Sequence, residues 1–220
     1  MSRIITVFGA TGAQGGGLAR AILTDPQQRF RVRAVTRKPD SPAARALSEI
    51  GADIVIADLD DAASVRRAMD GAHGAFCVTN FWEHFSPDKE LAQANTMAQA
   101  ALDAGVTHVV WSTLEDTREF ITPGSRMPVL MGKYNVPHFD AKGEADALFA
   151  NLPVTYLRTT FYWDNLIHFG MGPRRDAEGR LTFVLPMGDR RLPGIASADI
   201  GPCAFRIFAR RMLRSIGLFR

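Results

Sequence analysis

The stretch TVFGATGAQGGGLAR, Thr6–Arg20, holds five glycines between positions 9 and 17. It lies between a β-branched run and an alanine-rich segment. Glycine costs about 1 kcal/mol against alanine inside a helix, so this density needs a reason. Gly9, Gly12 and Gly15 fit the pattern GxxGxxG. In such a turn small residues let backbone N–H groups approach a pyrophosphate, and the start of the following helix adds partial positive charge. The preceding run RIITVFG (3–9) reads as a buried strand, and AQGGGLARAILTD (13–25) as a helix ending before Pro26. Strand, glycine turn and helix together predict a dinucleotide site. Gly16 and Gly17 are expected to bring that helix close to the sheet.

Outward from this turn, short apolar runs alternate with helical patterns. Strands are expected at 30–37, 52–59, 74–82, 107–113 and 153–161. Helices are expected at 42–51, 61–71, 86–105 and 138–151. Ser86 at the N-cap and Pro87 after it mark one helix start. This alternation argues for an α/β fold of the Rossmann type, a doubly wound parallel sheet with helices on both faces. The segment 114–137 breaks the rhythm with Pro123, Pro128, Pro137, Gly124 and Gly132, and reads as a lid or binding loop. Beyond 161 the pattern is less regular. Short strands are expected at 180–186 and 191–195, and Ser197 or Asp199 is a candidate cap for a final helix.

The second strand decides the form of the dinucleotide. A site for NAD carries Asp or Glu there, about 20 residues beyond the glycines, to hold the ribose 2′-hydroxyl. Here VTRKPD puts Arg37 and Lys38 in that place. A guanidinium pairs bidentately with a phosphate, so NADP(H) is favoured over NAD(H).

The chain has 220 residues, 46% of them hydrophobic, which suits one globular domain with a core of its own. Its net charge of +3 does not by itself argue for nucleic acid or membrane, and neither partner is expected. The two cysteines, Cys77 and Cys203, form no CxxC pair, so no metal site or disulfide framework is implied. Cys77, within GAFCVT, reads as a buried thiol. The N-terminus has no signal-peptide core and no run approaches a membrane span, so the expected location is the cytoplasm.

The motifs VFGATGAQGG (7–16), VTRKP (35–39), GADIVIADLDD (51–61), VTNFWE (78–83), HFDAKGE (138–144) and FYWDN (161–165) together resemble the NmrA-like family. Within it they are similar to the HSCARG-type redox sensors, atypical relatives of the short-chain dehydrogenases/reductases. The resemblance implies a cofactor site with Thr11, Gly12, Ala13 and Gln14 under the phosphates and Arg37 at the 2′-phosphate. It places Asp58 and Leu59 by the adenine, and Thr79, Asn80 and Phe81 along the ribose and nicotinamide. Lys142 would reach the nicotinamide ribose, and Tyr162, Trp163, Asp164 and Asn165 would close the pocket. Family members continue well beyond position 220, so 161–220 reads as a small, incomplete substrate lobe. The stretch 203–220, with arginines at 206, 210, 211, 214 and 220, reads as divergent or truncated.

Short-chain reductases place Tyr and Lys four residues apart, the phenol donating a proton and the lysine lowering its pKa. Four residues before Lys142 stands His138, and Tyr134 is separated from that helix by Pro137. Ser112 ends the fifth strand, where those enzymes keep a serine. Ser112, His138 and Lys142 therefore occupy the triad's places with the central acid changed. Phe81, Trp82, Phe85, Phe161, Tyr162 and Trp163 are candidates for an apolar wall or for ordinary core. Two readings follow: an NADP(H)-binding, redox-sensing regulator with a protein partner or a second copy, or an NADPH-dependent reductase of quinones or small carbonyl compounds.

Overall fold

The computed structural model describes residues 3–121 and 125–215, with side chains described as far as Arg210. Its centre is a six-stranded, wholly parallel sheet of strands β1 (Arg3–Val7), β2 (Phe30–Thr36), β3 (Asp53–Ile56), β4 (Gly74–Cys77), β5 (His108–Thr113) and β6 (Val154–Arg158), in the order β3-β2-β1-β4-β5-β6. This is the Rossmann order. The reversal between β1 and β4 opens a crevice at their carboxyl ends. Central strands are buried on both faces, which explains why apolar residues stand side by side in them, as at Ile4-Ile5, Ala75-Phe76-Cys77 and Val109-Val110-Trp111.

One face is covered by α3 (Ala62–Met69), α5 (Pro87–Asp103) and α6 (Pro137–Ala145), around a core that includes Phe8, Met69, Met97, Trp111 and Phe149. Trp111 stacks on Phe149 with centroids 4.6 Å apart. The other face is covered by α1 (Ala13–Leu23), α2 (Pro42–Glu49) and α8 (Ser197–Ser215). Caps fix these starts: Ser41, Asp61 and Ser86 each accept first-turn amides of α2, α3 and α5, Ser86 as the sequence predicts.

Several expectations change. The strand expected at 74–82 ends at Cys77, and Phe81–His84 form the one-turn helix α4, closed by Phe85 in the left-handed region at φ 51°. The apolar run misled because Phe81 is buried from a helix and not from a strand. The helix expected at 138–151 is α6 followed by a 3-10 turn at Asp146–Phe149. The outer strands are two residues long: β7 (Phe161–Tyr162) pairs with β10 (Gly194–Ile195), and β8 (Arg174–Arg175) with β9 (Leu181–Thr182). The helix α7 (Asn165–His168) lies between them in sequence.

Residues 203–210 continue α8. Ala204 and Phe208 are buried, and Phe208 packs on Phe30 and on His108. Arg206 and Arg210 are exposed, whereas the side chains of Arg211, Arg214 and Arg220 lie outside the described residues.

The loop 114–137 is tied down in its described part. Asp140, fully buried in the first turn of α6, accepts from the amide and hydroxyl of Thr117 (2.9 and 2.5 Å) and from the amides of Asn135 and Val136 (2.7 and 3.0 Å). One carboxylate therefore holds both ends of the loop. Gly143 allows the same approach, since a Cβ there would lie 2.5 Å from the Asp116 nitrogen.

Candidate functional site

The glycine turn between β1 and α1 is built for a close approach. Gly9 has φ +61°, and the Gly12 amide returns to its carbonyl at 2.9 Å. A Cβ on Gly15 would lie 2.5 Å from the Gly9 oxygen and 2.7 Å from the Phe8 oxygen. Gly12 is the N-cap of α1, with no side-chain cap and no acidic residue in the first turn. The first-turn amides thus have no side-chain acceptor, and the helix end favours an anion. Thr11, Gly12 and Ala13 are exposed along this edge. Gly17 has a different role from the expected one. It meets α8, with Gly201 Cα 3.4 Å from where its Cβ would be, so it serves a helix crossing and not the sheet. Gly16 faces the Ala10 carbonyl.

Arg37 stands directly after β2, half exposed, and is held by Glu83 of α4 through Nη1–Oε1 at 2.5 Å and Nη2–Oε2 at 2.9 Å. This pairing raises the arginine's pKa and lowers that of Glu83. Beside Arg37 is an open cavity of about 370 Å³ lined by Ile56, Asp58, Asp61, Ser64 and Arg67 among others. Asp58 organises its floor: its amide donates to Ser64 Oγ and its carboxylate accepts the Asp60 amide. Leu59 packs against the core instead. Lys38 is exposed, with its amide on Thr36 Oγ1.

Across the crevice, Lys142 is buried against the end of β4. Its Nζ lies 2.6 Å from Thr79 Oγ1, 3.2 Å from the Thr79 carbonyl and 2.9 Å from Glu90 Oε1. Glu90 is fully buried and also accepts from Thr79 Oγ1 at 2.5 Å. His84 Nε2 approaches its second oxygen at 3.3 Å, and His84 Nδ1 accepts the Ser86 amide. Glu90 and His84 give no local signal in the sequence. Glu90 reads there as an ordinary acid in the first turn of α5.

Ser112 and His138 do not join this cluster. Ser112 Oγ donates to Gln14 Oε1 at 2.7 Å, and Gln14 Nε2 donates to the Tyr162 hydroxyl at 2.5 Å. Burial pushes the Tyr162 phenol above its ordinary pKa. His138 lies against Trp82, Phe139 and Phe81, with ring centroids at 4.7, 4.9 and 6.0 Å. Desolvation, then the nearby Lys142 charge, lowers its pKa. That shift favours the neutral imidazole over the imidazolium. Tyr134 is also buried, between Arg118 and Lys133.

Of the remaining expected residues, Asn80 is the exposed N-cap of α4 and Trp163 covers Gly194. Asn165 opens α7. Asp164 anchors the start of α8, accepting the Ser197 amide and hydroxyl at 2.8 Å each, and these bonds lower its pKa. Cys77 is a buried thiol with a raised pKa, as expected. No helix among the described residues is long and apolar enough to cross a membrane.

A parallel sheet in this order, with an uncapped glycine turn at its switch point, defines a Rossmann-type α/β protein. The chain belongs to the NmrA-like family, whose pattern it matches over residues 1–215. It is 35% identical over 210 residues to the NmrA-like family domain-containing oxidoreductase FrzB of a Cladobotryum species, covering 90% of this chain and 62% of that protein. The chain thus spans about three fifths of the length of such relatives. In fold it is similar to NmrA, a negative transcriptional regulator (TM-score 0.72, 23% identity, 96% of this chain and 63% of that one). It is also similar to the Citrobacter triphenylmethane reductase complexed with NADP(H) (TM-score 0.70, 20% identity, 94% and 65%). NmrA has been crystallised with NADP and, separately, with NAD.

Proposed function

We propose that the chain binds NADP(H) across the carboxyl ends of β1 and β4 and acts as a redox-sensing regulator, its state set by cofactor occupancy. The cradle supports the binding: Gly15 leaves no room for a side chain, the first-turn amides of α1 are uncapped, and the open cavity is lined by Arg37, which follows β2, the strand paired with β1. Thr11, Ala13 and Gln14 would hold the phosphates, Arg37 the 2′-phosphate and Asp58 the adenosine end. Thr79, Asn80, Phe81 and Lys142 would hold the nicotinamide ribose, with Tyr162 closing the pocket. When bound, the nicotinamide supplies a hydride. One observation favours a sensor: the places of the acid–base triad are engaged separately, Ser112 with Gln14, His138 with Trp82 and Lys142 with Glu90. A protein partner or a second copy would read the state.

A reductase of quinones or small carbonyl compounds is the second reading. Trp82 is 59% exposed beside Phe81 and His138, a surface suited to a flat ring, and relatives carry the name oxidoreductase. Calorimetry with NADPH and NADH on the wild type and Arg37→Ala tests the binding. Preference for NADPH, lost in the variant, is the expected result, and no uptake of either coenzyme refutes it. Sustained NADPH oxidation with a quinone panel, lost in Lys142→Ala, would decide for the reductase; no turnover across the panel favours the sensor.

A further inference from the structure

The acid that the end of β2 lacks is supplied from elsewhere in the fold. Arg37 follows β2 and Glu83 lies in α4 beyond β4, and these two strands flank β1 in the sheet. The bidentate Arg37–Glu83 pair therefore links the two sides of the glycine turn, 46 residues apart in sequence. Both side chains are about half exposed, at 51% and 45%, and Arg37 lines the open cavity, so the pair is open to a ligand. Asp58 and Asp60 also lie close enough to favour the charged arginine, and Lys89 and His84 do the same for the charged form of Glu83.

Two ligand chemistries meet this pair differently. A ribose 2′-hydroxyl is a donor that needs an acceptor, and a carboxylate is the group that dinucleotide sites use for it. A 2′-phosphate is an acceptor that needs the guanidinium and is repelled by a neighbouring carboxylate. On the reading of the site as a nicotinamide dinucleotide site, we propose that Glu83 is its ribose-reading carboxylate. It accepts the 2′-hydroxyl of NAD(H) and competes with the 2′-phosphate of NADP(H) for Arg37, so the chain takes both coenzymes and Glu83 narrows the gap between them.

The test is calorimetric titration of NADPH and NADH into the wild type, Glu83→Gln and Arg37→Ala. Glutamine keeps the shape and loses the charge. The expected result is that Glu83→Gln binds NADPH more tightly and NADH more weakly, widening the preference about tenfold, the size of one charge-assisted hydrogen bond. Arg37→Ala should shift it the opposite way. A preference unchanged within about twofold in Glu83→Gln, with Arg37→Ala still shifting it, overturns the role of Glu83 and leaves the dinucleotide site standing. Failure of the wild type to bind either coenzyme overturns both. Glu83→Ala, with its melting temperature checked against the wild type, is the second variant and should move the preference in the same direction as Glu83→Gln.

Discussion

Glu90 and Lys142 are a buried ion pair whose value lies in being complete. The side chain of Glu90 is wholly buried and that of Lys142 is 11% exposed, with Thr79 bonded to both. Removing one partner leaves the other charge in a poor solvent, which costs about 3–5 kcal/mol, whereas apolar replacement of both is close to neutral. Lys142→Met should therefore lower the urea-unfolding free energy by about 3 kcal/mol, and Glu90→Leu/Lys142→Met should recover most of that loss. Additive losses in the double variant would refute the coupling. At this scale the sequence was legible where one residue does one job. Gly15 stands where no Cβ fits, and Arg37 stands directly after β2, where the sequence places it. Glu83, Glu90 and Asp140 were not legible in these roles. Each is an acid in or near a helix start, and only the three-dimensional fold brings it to its distant partner: Glu83 to Arg37, Glu90 to Lys142 and Asp140 to Thr117.

Elements differ in how far local pattern decides them. The five βα units were legible because buried strands and capped helices carry their signals within about ten residues. The start of α8 at Ser197 was legible as a candidate cap, but the end of β4 and the continuation of α8 past Pro202 were not, since their partners are distant. The crossing of α1 and α8 makes an asymmetric prediction. A Cβ on Gly201 would lie 2.1 Å from the Gly17 carbonyl carbon, whereas one on Gly17 would find its nearest neighbour at 3.4 Å. Gly201→Ala must push backbones apart and should cost about 1–3 kcal/mol. Gly17→Ala gains about 1 kcal/mol of helix propensity against a contact that must yield slightly, and should be nearly neutral. Thermal unfolding of the two variants separates them, and equal losses would argue against this crossing. The turn from α1 to β2 makes a prediction in pH. The Arg29 side chain foremost, with the Gln27 and Arg29 amides, holds the Asp25 carboxyl at about 2 against an ordinary 3.8. A depressed carboxyl contributes stability that is present above the unfolded value and lost as pH falls through the folded one. The urea midpoint of the wild type should fall between about pH 5 and pH 2, and Asp25→Asn should show a shallower fall over that window. An identical slope in the two would remove Asp25 from the account.

The whole molecule depends on closing both faces of one sheet. A parallel sheet buries both faces. Among the described residues the face that carries α1 and α2 is completed by α8, whose Ile200, Ala204 and Phe208 are buried and whose Phe208 packs on Phe30 of β2, Gly74 of β4 and His108 of β5. That is why an arginine-rich stretch with Pro202 inside it misled the sequence reading. Its arginines drew attention, but the residues at 200, 204 and 208 recur every fourth position and form one helix face. The cradle is tied to the same packing. Gly17 sits under Gly201, and Asp164 holds Ser197, so α8 braces the helix whose first turn faces the candidate phosphate position. Phe208 is the test of this dependence. It is 3% exposed, edge-on to Phe30 and His108 and against Gly74, where a Cβ would meet its ring at 3.0 Å. Phe208→Ala should lower the unfolding free energy by about 3–5 kcal/mol, as large-to-small changes in a packed core do. Arg210→Ala, two residues on and exposed, should change it by less than about 0.5 kcal/mol. If the stretch were only a charged appendage, Phe208→Ala would be as silent as Arg210→Ala. Chemical denaturation of the two variants, read by tryptophan fluorescence because Trp111 lies in the core, measures the difference directly.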